Sequence, residues 1–441
     1  MGLATISSGK IKNFFKALGP GLITGASDDD PSGIATYSQA GAKFGLATLW
    51  TALITFPLMA CIQEICARIG IITSVGLTTT LKNHYSKTLL YLVLVFSVPA
   101  IILNIGADIA GMGAVANLIF PSVKPTIFSL IFTIFLLILM IYLPYHKMVA
   151  VLKYLCLSLF LYIAVPFFTH PNWGMVLRQT FIPTIKFNKD FIEILVAILG
   201  TTISPYLFFW QVTMEAEDVK SAKQIILARR KILKDAEAID IDKKTADKFI
   251  FLLIKKMRLD VNLGMLLSNL VMFFILLATG TALFGQGITQ IDTVDQAARA
   301  LEPVAGKASY LIFALGVIGT GFLAIPVLCG SLSYIVSETF GWKGNLDDKF
   351  YQAKSFYTII MVSLLLGLLM NQLGLSPIKA LLYTAILYGL TSPILIAIIL
   401  HIANNKKIMK ENTNGKWSNF LGFLTLFIMS AAAVALIYLQ F

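Results

Sequence analysis

Apolar runs of about 20 residues recur along this chain, each long enough to cross roughly 30 Å of hydrocarbon as a helix. Eleven can be placed, at 15–41, 46–70, 90–118, 125–144, 148–168, 190–211, 259–284, 307–336, 354–372, 377–401 and 418–440. They are continuous rather than alternating, so they read as helices and not as barrel strands. Only 13% of the 441 residues are charged, against about 25% in soluble domains. A surface this apolar needs lipid as its solvent. The expected class is an all-α polytopic membrane protein forming a single transmembrane domain, with a lipid bilayer as its first partner.

The formal net charge of +12 would suggest nucleic acid in a soluble protein. Here it follows from cytoplasmic loops enriched in Lys and Arg, and no nucleic-acid partner is expected. With the N-terminus inside, the inner segments hold 27 of the 35 basic residues. The N-terminus is therefore expected in the cytoplasm, the C-terminus outside, and the protein in a bacterial inner (plasma) membrane. No cleavable signal is expected ahead of the first span. The one long polar stretch, 212–258, contains amphipathic pieces such as 222–232 and reads as a helix on the membrane surface. Cys61, Cys66, Cys156 and Cys329 form no CxxC pair and read as core residues.

Two spans carry polar punctuation. The first reads Gly25-Ala26-Ser27-Asp28-Asp29-Asp30-Pro31-Ser32-Gly33, and the sixth reads Gly200-Thr201-Thr202-Ile203-Ser204-Pro205-Tyr206. Proline removes a backbone donor and clashes with the preceding turn, so both helices should unwind there. Unwound backbone at that depth is tolerated where it lines a cavity or a protein interior. The breaks lie five spans apart, which gives the two halves opposite orientation. Paired interrupted helices at matching positions point to a carrier's binding site. Simple kinks would not explain three consecutive carboxylates, each costing about 2.5–3.5 kcal/mol at bilayer depth. Their charge calls for a cation. Asp30, beside the proline, is the expected ligand, and Asp28 and Asp29 are expected either at the cavity mouth, attracting cations, or partly protonated.

At these residues the sequence resembles the NRAMP family of divalent metal transporters. Further matching stretches are Gln63-Glu64-Ile65-Cys66-Ala67-Arg68, Asp108-Ile109-Ala110, Ser337-Glu338-Thr339-Phe340 and Pro377-Ile378-Lys379-Ala380-Leu381. The resemblance implies a LeuT-like fold of two inverted five-helix repeats, here 15–168 and 190–401, with an eleventh helix at 418–440. It implies no cofactor, the metal ion being the substrate. The family's Asp-Pro-Gly-Asn reads Asp30-Pro31-Ser32-Gly33 here, so the Asp is kept and the Asn is lost. Its Met-Pro-His reads Ser204-Pro205-Tyr206, so the selective sulfur is gone. Gln211 stands at a second histidine, Gly111 at a third-helix acid of the proton route, and Ala385 at a tenth-helix Gln. The pattern is similar to the NRAMP-related magnesium transporters.

The resulting metal ligands are Asp30, Ser204, Thr201 and Ser32, joined by carbonyls freed at the breaks. Ser27, Asp28, Asp29, Gly33, Thr202 and Tyr206 complete the expected substrate site. An all-oxygen set suits Mg²⁺ or Mn²⁺ rather than softer ions, and small residues at Gly33, Ser204 and Ala385 would leave room for a hydrated ion. Asn104 and Asp108, four apart on one helix face, read either as an ion path leading on to Gln211 or as a structural hydrogen-bonded pair. Glu64 and Arg68 read as an ion pair, and Glu338 as interfacial. With Tyr206 and Gln211 in place of histidines, proton coupling is expected to be absent or loose, although the resemblance makes Asp108 a retained third-helix acid of the proton route, and Asp28 and Asp29 are further acids that could substitute. No nucleophile–His pair, phosphate loop or HExxH supports an enzyme. The rival reading is a carrier of the same fold for an organic solute or an anion, bound at the freed helix N-termini.

Overall fold

The computed structural model describes residues 20–143, 147, 159, 161–232, 243–371, 374 and 376–439. Among these there is no strand. The first expected span is two helices, α1 (Pro20–Asp28) and α2 (Pro31–Phe44). After α3 (Trp50–Thr73) comes the short α4 (Leu77–His84), then α5 (Lys87–Ile119) and α6 (Pro125–Tyr142). The sixth span is also two helices, α7 (Lys189–Thr202) and α8 (Pro205–Ile232). The remaining long helices are α9 (Lys243–Ala282), α10 (Ser309–Phe340), α11 (Lys354–Met370), α12 (Pro377–Asn404) and α13 (Lys416–Tyr438).

Eight segments among the described residues are long and apolar enough to span a membrane on their own. The shortfall from eleven has local causes. The halves of the first span have 9 and 14 residues, and the ninth span is a 17-residue helix. Most of the fifth, 148–158 and 160, lies outside the described residues with Cys156, as does the beginning of the first.

The expected 212–258 loop is largely helical. The piece at 222–232 is no separate surface helix, because α8 runs on without interruption to Ile232. The 40-residue α9 begins at Lys243. Residues 233–242 lie outside the description.

Both breaks start a new helix at a proline. Pro31 and Pro205 occupy first helical positions, where a missing N–H costs nothing and the fixed φ suits the helix. Asp30 is the N-cap of α2, with extended backbone (φ −68°, ψ 171°) and its carboxylate accepting the Gly33 amide. Pro57, Pro99, Pro326 and Pro393, by contrast, sit inside continuous helices.

Close backbone approach holds the broken helices in place. A Cβ on Gly25 of α1 would overlap the backbone of Gly264 of α9, and one on Gly200 of α7 would overlap the Ala385 carbonyl of α12. Small residues are what let helices pack in lipid, where the hydrophobic effect does not drive them together. The Gly21 amide adds a hydrogen bond of 2.7 Å to Asp260 Oδ2.

Two expected contacts resolve differently. Glu64 pairs with Arg258 of α9 at 2.8 Å, while Arg68 donates to Asn414. A partner on another helix reaches the carboxylate better than the in-helix arginine. Glu338 is more than interfacial: it accepts the Thr79 amide at 2.7 Å and so caps the first turn of α4.

Candidate functional site

The two breaks are brought together. Asp28, Asp29, Asp30, Ser27, Ser32, Thr201, Thr202, Ser204, Asn104, Asp108 and Gln211 are all buried. Among the described residues no Lys or Arg forms an ion pair with Asp28, Asp29, Asp30 or Asp108. Four buried carboxylates therefore lie in one region without a basic partner.

Asp30 is held by three donors. Its Oδ1 accepts from Ser32 Oγ at 2.7 Å and from the Gly33 amide at 2.7 Å. Its Oδ2 accepts from Asn104 Nδ2 of α5 at 2.9 Å. The positive end of α2 adds a favourable field. Ser32 continues to Thr201, their hydroxyls 3.4 Å apart, so α2 and α7 meet through side-chain oxygens.

Asp28 and Asp29 face a different neighbour. Ser268 of α9 donates to Asp28 Oδ2 at 2.8 Å and lies 3.3 Å from Asp29 Oδ1. Rather than sitting at an open mouth, both acids are buried; α9 covers them. Asp28 Oδ1 and Ser27 Oγ have no hydrogen-bond partner.

The expected α7 and α8 ligands are present but already engaged. The Ser204 hydroxyl donates back to the Thr201 carbonyl at 2.5 Å and lies 3.3 Å from that of Gly200. Thr202 lies 3.1 Å from the Tyr37 hydroxyl and 3.7 Å from Met272 Sδ. The carbonyls freed at the breaks have side-chain donors too. Tyr206 donates to the Ser27 carbonyl at 2.9 Å, and Ser392 of α12 to that of Ile203 at 3.0 Å.

Gly33 does not open the space expected of it. A Cβ on Gly33 would lie 3.3 Å from Thr201 Oγ1 and 3.4 Å from the Asp28 carbonyl. The Ala385 carbonyl is packed on Gly200. At that contact it is the smallness of Gly200 that lets α7 and α12 approach.

Asn104 and Asp108 are not bonded to each other, because Asn104 turns its amide to Asp30. Both oxygens of Asp108 and the Oδ1 of Asn104 are buried without a hydrogen-bond partner. Gln211 belongs to a separate line: Thr24 Oγ1 lies 2.5 Å from Gln211 Oε1, whose Nε2 donates to Glu215 at 3.0 Å.

Sequence reasoning missed Ser268, Tyr388 and Glu215. Ser268 and Asn269 form a polar pair inside an apolar run, which is a usable signal. Tyr388 lies one turn beyond Ala385 and looked like packing. No three His, Cys, Asp or Glu side chains among the described residues converge as a ready metal cluster. The chemistry available is hard oxygen ligation around one or two carboxylates.

The family described as natural resistance-associated macrophage protein-like matches residues 21–439. A divalent metal cation transporter MntH of Caldanaerobacter subterraneus subsp. tengcongensis is 23% identical over 435 residues, covering 98% of this chain and 94% of that protein. One of Brucella suis is 23% identical over 98% of this chain and 90% of its own length. Among solved structures, a manganese transporter of Eremococcus coleocola superposes with a TM-score of 0.72 at 17% identity, covering 95% of this chain and 85% of that one. Mhp1, a nucleobase-cation-symport-1 family transporter, gives 0.57 at 14% identity, covering 96% and 91%. The fold is thus the LeuT-like one, with its first and sixth helices interrupted.

Proposed function

Because the chain belongs to the natural resistance-associated macrophage protein-like family, we propose that it carries divalent metal cations across a lipid bilayer by alternating access, at a site built on Asp30. The observation that carries this reading is the Asp30 carboxylate. It is buried at the junction of α1 and α2, with no Lys or Arg paired to it among the described residues. A charge in that setting is stabilised by an arriving cation. The relatives' own names, divalent metal cation transporter and manganese transporter, point the same way.

Mg²⁺ and Mn²⁺ are the favoured substrates. Carboxylate, hydroxyl, amide and carbonyl oxygens suit hard ions. Mg²⁺ binds through one or two carboxylates and keeps several waters. Ser32, Thr201 and Ser204 supply neighbouring oxygens. Repeats spanning 15–168 and 190–401 would move against each other about the two breaks, in a bacterial inner membrane with the N-terminus in the cytoplasm.

The test is uptake into proteoliposomes holding the purified full-length protein, with Mg²⁺, Mn²⁺ and an amino-acid panel supplied separately. Saturable entry of Mg²⁺ or Mn²⁺ is expected. Entry of an organic solute with no metal flux would replace this reading with the rival carrier.

A further inference from the structure

We propose that Asp108, together with Asn104 and Tyr388, completes a two-carboxylate cation centre with Asp30, lying on the α5 side of the first break. This deepens the metal-carrier reading above and rests on it.

The hydrogen-bond geometry divides the candidate ligands into two groups. On the α7 and α8 side, the hydroxyls of Ser204 and Thr202 and the carbonyls of Ser27 and Ile203 each have a partner. On the α5 side the reverse holds. Asp108 is fully buried, and neither of its oxygens has a hydrogen-bond partner. It stands one turn along α5 from Asn104, whose amide donates to Asp30 Oδ2 at 2.9 Å. The Tyr388 hydroxyl of α12 is also buried and without a hydrogen-bond partner, on a ring whose centroid lies 5.8 Å from that of Tyr206.

Two buried carboxylates flanking Asn104 without a basic partner repel each other and are poorly solvated at this depth. A divalent cation between them removes both problems at once, because two negative charges match its two positive ones. An adjacent acid pair of this kind selects charge more strongly than Asp30 could alone.

Asn104 is the adjustable member. Its Nδ2 is spent on Asp30, while its Oδ1 has nothing to accept. An amide carries a donor end and an acceptor end on one planar group. Turning it over replaces the N–H on Asp30 with an oxygen directed at the cation. In the metal-free state Asn104 thus holds Asp30, and in the loaded state it becomes a neutral oxygen ligand. The unpartnered Tyr388 hydroxyl is the donor available to a carboxylate oxygen the cation leaves open.

The decisive comparison is wild type against Asp108→Asn, as purified full-length proteins titrated with Mn²⁺ in a calorimeter. Asparagine is isosteric, and the oxygens it replaces have no partners to lose, so the metal-free thermal unfolding transition is expected to persist. Mn²⁺ affinity is expected to fall on the order of tenfold or more, with a smaller Mn²⁺-induced rise in unfolding temperature. Asn104→Leu, which removes the oxygen, should weaken Mn²⁺ in the same direction, and Asp108→Glu should recover part of the loss. Wild-type Mn²⁺ affinity in folded Asp108→Asn would overturn the inference. Loss of metal-driven proton movement with binding intact would instead assign Asp108 to a proton path, and would overturn it equally. Absence of saturable Mn²⁺ and Mg²⁺ binding in the wild type would remove the carrier reading itself.

Discussion

The hydroxyl of Tyr206 donates to the backbone carbonyl of Ser27 across 2.9 Å. One residue stands at the start of α8 and the other in the last turn of α1, so a single side chain ties the two breaks together. Both groups are buried. A carbonyl released by unwinding would otherwise face the protein interior unpaired. Tyr206 therefore has a structural use at this position.

Tyr206→Phe is expected to lower the unfolding free energy by about 1–3 kcal/mol, since it leaves a buried carbonyl without its donor. Thermal unfolding in detergent measures this. An unchanged transition would show that the Tyr206–Ser27 bond contributes nothing to the populated state.

Soft metals should gain no advantage in the wild type. The Ser204 side chain is oxygen, and the nearby Met272 sulfur sits 3.7 Å from Thr202 and 3.9 Å from Thr55 as a hydrogen-bond acceptor. Ser204→Met is expected to raise Cd²⁺ affinity over Mn²⁺ on the order of tenfold. The longer side chain in a buried position costs about 1–3 kcal/mol of stability. Competition titrations of Cd²⁺ against Mn²⁺ decide the matter. Tight wild-type Cd²⁺ binding that Mn²⁺ displaces poorly would contradict an all-oxygen site.

Metal uptake should proceed without obligatory proton movement. Tyr206 is committed to Ser27, and Gln211 links Thr24 to Glu215; neither tyrosine nor glutamine takes up a proton near neutral pH. Proteoliposomes with an internal pH dye and an imposed metal gradient should show no acidification. Acidification abolished by Asp108→Asn or Glu215→Gln would reveal a coupled route.

The breaks were legible in the sequence because two signals coincided. Pro57, Pro99, Pro326 and Pro393 leave their helices continuous, whereas Pro31 and Pro205 follow Asp30 and Ser204. Each proline gives its new helix a fixed φ, and at the first break the Asp30 carboxylate also gives it its first acceptor. Asp30 followed from that pattern. The pairing of Asp28 and Asp29 with Ser268 did not, because it depends on α9 crossing beside α1 some 240 residues away in sequence. The backward bonding of Ser204 to the last turn of α7 was equally hidden, since a serine in a broken segment can bond backward or point into the site. Gly33 and Ala385 read as empty space, but helix packing in lipid uses small residues to bring backbones together.

Calorimetric titration of Mn²⁺ and Mg²⁺ into wild type and Asp30→Asn tests the central claim most directly. Asparagine caps a helix as well as aspartate does, so the start of α2 is kept while the charge is removed. Saturable binding is expected in the wild type. In the folded variant it should be lost or weakened about 100-fold or more, equivalent to about 2.8 kcal/mol. Wild-type metal affinity in a correctly folded Asp30→Asn protein would contradict a carrier site built on Asp30.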